Sequence, residues 1–153
     1  MRASVFCGVF AALLAAPAAS ADKPQWDFVK SDRDVRLFYG VPESESITLS
    51  LICQPKRKRL SIISAVLPNK VGGKRSGKIT LSNGSSTLEY AGRTVPERGE
   101  GPATIEASIA IDPRLFDLLE TGSSLVIQSL GARESVPLDG VKPPLSQMRS
   151  VCR

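Results

Sequence analysis

Residues 47–53, ITLSLIC, followed by residues 59–66, RLSIISAV, decide the fold. In the first arm apolar residues occupy every second position, from Ile47 to Cys53, which is typical of a β-strand with one buried face. The second arm is similarly short and apolar. The residues between the arms, Gln54 to Lys58, include Pro55 and several cations. The sequence therefore predicts a β-hairpin with a short, basic turn.

Further segments of the same character extend this hairpin into a sheet. Strands are predicted near 25–29, 35–39, 78–81, 86–90, 103–111, 124–129 and 133–138. The dipeptide Asn83-Gly84 predicts a second hairpin, and the segments 68–77 and 93–102 have the glycine, proline and charge of loops. Because strands do not alternate with long helices, the expected class is mainly β, an antiparallel β-sandwich or a small barrel.

Two short helices are predicted beside these strands. Asp112-Pro113 favours a helix start, because aspartate is a good N-cap and proline fits the first turn, and Gly122 favours its end. A helix at the C-terminus is predicted by an apolar stripe at helical spacing, formed by Val141, Leu145, Met148 and Cys152.

The first 21 residues have the layout of a cleaved secretory signal peptide. An arginine near the start precedes an apolar run from Val5 to Ala16, and Ala19-Ser20-Ala21 is a small-residue cleavage site. The run is shorter than the roughly 20 residues that a membrane-spanning helix needs. We expect a single domain over 22–153, without a transmembrane segment, in the bacterial periplasm or secreted beyond it.

Cleavage would remove Cys7 and leave Cys53 and Cys152. Two cysteines in an oxidising compartment usually pair, so a structural disulfide is expected. It would bring the end of the C-terminal helix to the end of the first hairpin arm. A reactive thiol or redox pair is the alternative, but the chain has no Cys-x-x-Cys motif.

The absence of histidine restricts the chemistry. It excludes Ser-His-Asp and Cys-His catalysis, histidine-based metal sites and c-type haem attachment. No phosphate-binding or dinucleotide-binding glycine motif opens a helix, and no cofactor is expected. A glycan hydrolase with two carboxylates remains as an enzymatic alternative, although no spacing favours a pair among Glu43, Glu45, Glu89 and Glu106.

Positive charge is the strongest functional signal. The candidate residues for binding an anionic ligand are Lys56, Arg57, Lys58, Arg59, Lys70, Lys74, Arg75 and Lys78. If the two loops that carry them share one end of the sheet, they would form a salt-dependent anion-binding surface. The alternative is a solvated tip that prevents edge aggregation. Nucleic acid is not the expected partner, because few aromatic residues are interleaved with the cations.

The C-terminal third has a helix around 115–119 with Gly122, a strand at 125–127, and Val136-Pro137-Leu138-Asp139-Gly140 before a second helix. In these features, and in its signal peptide, the chain resembles the invasion-associated locus B family of secreted proteobacterial β-proteins. It departs from that family in having two mature cysteines and no tryptophan–cysteine element at its start. The resemblance implies a non-enzymatic envelope protein and transfers no catalytic residue.

These observations predict an exported, disulfide-bonded binding or structural protein of the bacterial envelope. Its basic loops would contact an anionic envelope component or a partner protein. An inhibitor of a lysozyme-type cell-wall hydrolase is the alternative, since segment 85–90 is similar to the Ser-Gly-x-x-Tyr loop of such inhibitors. Removal of Arg2 changes the formal charge of the chain from +5 to +4, and the positive charge that remains opposes attraction to a basic enzyme.

Overall fold

The computed structural model describes residues 23–96 and 103–153. In these ranges the strands are β1 (Gln25–Lys30), β2 (Val35–Gly40), β3 (Ile47–Gln54), β4 (Arg59–Ser64), β5 (Ser76–Ser82), β6 (Thr87–Val95), β7 (Thr104–Ala110), β8 (Ser124–Ser129) and β9 (Ala132–Pro137). The helices are α1 (Pro113–Glu120) and α2 (Lys142–Val151), and a 3-10 turn (Pro55–Arg57) joins β3 to β4. The predicted signal peptide and its cleavage site lie outside the described residues.

The nine strands form one curled antiparallel sheet in the order β1-β2-β3-β4-β7-β6-β5-β8-β9. The two edge strands lie close to each other. This is shown by the Trp26 indole Nε1 in β1, which donates a hydrogen bond of 2.7 Å to the carbonyl oxygen of Pro137 in β9. The predicted class, mainly β with two short helices of which one lies at the C-terminus, is confirmed. Both predicted hairpins are also confirmed, β3 with β4 and β5 with β6.

The alternating residues of the strands face the interior of the curled sheet. The fully buried side chains include Leu37, Leu49, Leu51, Leu60, Ile62, Ile79, Leu81, Ile105, Leu125 and Ile127. Strands β3, β7 and β9 all end on the same side of the sheet. Helix α1 follows β7 and helix α2 follows β9, so both helices begin on that side. Leu115 and Leu119 of α1 and Leu145 and Met148 of α2 are buried against the same core. The predicted apolar stripe of the C-terminal helix is therefore confirmed.

Strand β6 is longer than the sequence indicates. Arg93, Thr94 and Val95 were expected in a loop but pair with Glu106, Ile105 and Thr104 of β7. The Thr94 hydroxyl also accepts a hydrogen bond of 2.7 Å from the backbone N–H of Arg75. This non-local pairing overrides the local loop composition, and the rest of the expected loop, 97–102, lies outside the described residues.

Candidate functional site

A disulfide fixes the end of α2 to the end of β3. It joins Cys53 to Cys152, whose Cα atoms are 6.2 Å apart, a usual separation for a bridged pair. Both cysteines are buried. The predicted pairing is confirmed, and it places the last residues of the chain beside the turn between β3 and β4.

The two basic loops lie at opposite ends of the sheet. Lys56, Arg57 and Lys58 form the turn before β4, whereas Lys70, Lys74 and Arg75 follow β4 and precede β5. The six residues of β4 separate the two groups by roughly 20 Å. The condition under which the two loops would form one surface, a shared end of the sheet, is therefore not met, because one loop precedes β4 and the other follows it.

The cations of the β3–β4 turn differ in how they are held. Lys56, Arg57 and Lys58 are exposed, and none has a carboxylate partner within 4.0 Å in the described part of the chain. Arg59 is anchored to the sheet, since its Nη2 donates hydrogen bonds to the Ser108 carbonyl oxygen at 3.2 Å and hydroxyl at 2.8 Å. We call the three unpaired residues, Lys56 to Lys58, the basic tip.

Lys78 belongs to neither end loop. It lies on β5, and its Nζ forms an ion pair of 2.8 Å with Oε2 of Glu89 on the neighbouring strand β6. The structure thus divides the eight predicted cations into the basic tip, two residues held on strands, and the three cations of the opposite loop.

A cleft of about 760 Å³ opens between the basic tip and the two helices. Its apolar wall includes Ile111, Pro113 and Phe116, and its cations are Lys58, Arg149 and Arg153. The volume lies within the roughly 300–1,000 Å³ of typical small-molecule sites. The basic tip therefore borders a concave, partly apolar surface.

Arg149 joins the two helices across the floor of this cleft. Its guanidinium donates hydrogen bonds to Asp117 and Glu120 of α1 and lies 5.9 Å from the centre of the Phe116 ring. The hydrogen bond to Asp117, together with the charges of Asp117 and Glu120, raises the pKa of Arg149. Because its charge is already matched by these carboxylates, Lys58 and Arg153 are the unpaired cations of the cleft within the described ranges.

Asp112 caps α1 directly beside the apolar wall. Its Oδ1 accepts a hydrogen bond of 3.1 Å from the backbone N–H of Arg114, and its Oδ2 accepts one of 3.1 Å from the Tyr90 hydroxyl. The predicted helix start is confirmed. The hydrogen bonds from the Arg114 side chain lower the pKa of the Asp112 carboxyl, against the opposing effect of its partial burial.

Replacing Asp112 by alanine is expected to lower the free energy of unfolding by about 1–2 kcal/mol near neutral pH, since the cap is lost. The folded pKa lies below the unfolded value of roughly 3.9, so the contribution of the charge is present above that value. It is lost as the pH falls through the folded pKa. Urea unfolding of the wild type and Asp112→Ala measures this loss. The difference in stability between the wild type and Asp112→Asn, which removes only the charge, should shrink on acidification; a difference that grows would contradict the assignment.

The four glutamates of the hydrolase alternative are not assembled into one site. Glu43 lies in the turn between β2 and β3, while Glu45, Glu89 and Glu106 border three different surface clefts. All four are exposed. The described residues therefore give no support to a carboxylate pair.

Phe116, Arg149 and Arg153 were not identified from the sequence. Phe116 has the spacing of an ordinary core residue of α1, and Arg149 has that of a solvated helix position. A usable signal was nevertheless present, because pairing of Cys53 with Cys152 requires the residues around 149–153 to lie near those around 54–58. The disulfide prediction already implied that these segments share a surface.

No family model, curated protein or solved structure matches this chain. The resemblance to the invasion-associated locus B family therefore stays a prediction. Within 23–96 and 103–153, no helix has the length and apolar character needed to cross a membrane.

Proposed function

We propose that the protein is an exported binding protein of the bacterial envelope that contacts a phosphate-bearing envelope component through its basic tip. The single observation that supports this most strongly is the cluster of three exposed, unpaired cations, Lys56 to Lys58, on one turn. Clustered cations attract anionic surfaces over distances set by the Debye length, roughly 8 Å at physiological salt.

The shape of the turn favours binding because it is held on both sides. The backbone N–H of Lys58 donates a hydrogen bond of 3.1 Å to the Pro55 carbonyl oxygen, and Lys58 has a left-handed φ of 50°. Before the turn, Cys53 is fixed by the disulfide, and after it Arg59 is bonded to Ser108. A turn held in this way loses little conformational entropy on binding, so more of the attraction contributes to affinity.

Phosphate is the expected anion because it offers concentrated charge and several acceptor oxygens to lysine and arginine. In an envelope it is presented by anionic phospholipid head groups and by lipopolysaccharide. Both sources share the chemistry that the basic tip would recognise, so the experiment has to distinguish between them.

The test measures retention of the mature protein on phosphatidylglycerol vesicles, on lipopolysaccharide and on peptidoglycan as the salt concentration is raised. The tip variant is Lys56→Ser, Arg57→Ser, Lys58→Asn, with asparagine chosen because it tolerates a left-handed φ. At about 1 kcal/mol per basic residue near an anionic surface, the variant should bind its target about a hundredfold more weakly. The ligand that retains the wild type identifies the source of the phosphate.

The chain provides a matched control at the other end of the sheet. Lys70→Ser, Lys74→Ser, Arg75→Ser removes three positive charges as well, and it should bind nearly as the wild type does. Equal losses in both variants would mean that net charge alone matters, and an unaffected tip variant would refute the proposal. Tight, salt-resistant binding to a lysozyme would instead favour the inhibitor alternative.

A further inference from the structure

The cleft beside the basic tip combines two kinds of surface. Its wall is apolar, with Pro113 exposed on α1, Ile111 partly exposed before it, and the buried Phe116 one turn further along. Its rim carries the exposed cation Lys58, which also belongs to the tip. A ligand that matched both surfaces would need an apolar part and an anionic part joined together.

The carboxylates around the cleft are already bound to arginines. Asp112 pairs with Arg114 at 2.8 Å, and Asp117 and Glu120 both bind Arg149. Lys58 has no such partner within the described residues, and the same holds for the side chain of Arg153, which also lines the cleft. The charged side chains that line the cleft, Lys58, Arg149 and Arg153, are all cations, so an anionic amphiphile matches the cleft better than a cationic one.

We propose that this cleft binds a single anionic amphiphile, with its hydrocarbon chain against Ala110, Ile111 and Pro113 and its phosphate at Lys58. The inference rests on the proposed function, since it names the lipid class that the basic tip meets. It extends that function from a surface contact to the capture of one lipid chain. The cleft volume of about 760 Å³ is suited to one chain rather than to a patch of bilayer.

The test uses monododecyl phosphate below its micelle concentration, with binding followed by isothermal titration calorimetry. Inorganic phosphate supplies the head group alone, and dodecyltrimethylammonium supplies the same chain with the opposite charge. Monododecyl phosphate is expected to bind at least about tenfold more tightly than either, because burial of its methylene groups favours binding and the head group must match the rim.

A blocking variant separates the cleft from the tip. Ser146 is an exposed residue of α2 that lines the cleft, so Ser146→Trp should fill it and weaken binding of monododecyl phosphate by about tenfold or more. The neighbouring Gln147 is also exposed but does not line the cleft, so Gln147→Trp is the matched control and should bind as the wild type does. Should Ser146→Trp not fold, Ala110→Phe blocks the cleft from the sheet side.

The two proposals can fail separately. The blocking variant keeps every cation of the basic tip, so salt-dependent retention on vesicles should persist in it while binding of monododecyl phosphate is lost. If the blocking variant binds monododecyl phosphate as tightly as the wild type, or if dodecyltrimethylammonium binds equally well, the inference about the cleft is wrong even when the tip binds vesicles. If the tip variant keeps its vesicle retention, the proposed function is wrong, whatever the result at the cleft.

Discussion

Replacing Cys53 and Cys152 together by alanine is expected to lower the free energy of unfolding by about 4–5 kcal/mol. The two residues are 99 positions apart, so the bridge closes most of the described chain into one loop. Closing such a loop removes conformational freedom from the unfolded chain, and the stabilisation grows with loop length. Urea unfolding of the double variant and of the oxidised wild type, followed by far-UV circular dichroism, measures the difference.

Two controls distinguish the loss of the bridge from a packing defect. Wild type in reductant keeps both sulfur atoms and should lose nearly as much stability as the double variant. Mass mapping without reductant should find the peptide that contains Cys53 linked to the one that contains Cys152. Two free thiols in the protein purified without reductant, or an unchanged urea midpoint after reduction, would contradict the expected role of the bridge.

The parts of the fold that local patterns specify were predictable. The alternation from Ile47 to Cys53 predicted β3, Asn83-Gly84 predicted the hairpin of β5 and β6, and Asp112-Pro113 predicted the start of α1. In each case the physical cause lies within a few residues of the element: one buried face, a tight turn or a capping carboxylate. Local causes of this kind can be recognised from the sequence alone.

The order of the strands was not predictable in the same way. β4 pairs with β7, and β5 pairs with β8, across intervening segments of the chain. These pairings depend on how well whole strands fit beside each other, and no single residue is diagnostic of that fit. The extension of β6 through Arg93 to Val95 has the same origin, since β7 supplies the partners that the local composition does not reveal.

The candidate site follows the same division. The cations of the basic tip were predictable as a run of charge, and their separation from Lys70, Lys74 and Arg75 follows from β4, the strand that lies between the two groups along the chain. Phe116 and Arg149 become site residues only when α1 and α2 pack together beside the turn. The cysteine pair was the one long-range constraint visible in the sequence, and it correctly indicated where the end of the chain would lie.

Replacing Trp26 by alanine is expected to lower the free energy of unfolding by about 3–5 kcal/mol, the usual cost of removing a large buried aromatic side chain. Trp26 is 6% exposed although it lies on the edge strand β1. Its ring packs against Tyr39 with ring centres 5.3 Å apart, and its indole N–H bonds Pro137 on the opposite edge. The substitution would leave a cavity and remove this bond between the two edges of the sheet.

Trp26→Phe helps to separate the two contributions, because it keeps an aromatic ring in the core and removes the hydrogen bond to Pro137. It should cost about 1 kcal/mol for the lost bond, with a further cost for the smaller ring. Val29→Ala is the matched control on the same strand, since Val29 is 52% exposed and should change the stability by less than about 0.5 kcal/mol. Unfolding must be followed by far-UV circular dichroism, because Trp26 is the one tryptophan of the sequence.

Hydrogen exchange then tests whether Trp26 holds the two edges together rather than filling space alone. In Trp26→Phe the amides of β1 and β9 should exchange faster than in the wild type, because local opening at the sheet edges becomes easier. Strands β3 and β4 are interior strands of the sheet. The exchange rates of their amides should therefore change only as far as the global stability changes. Uniform acceleration in all strands would show that Trp26 acts through the core as a whole, and the contact between the edges would then have no separate role.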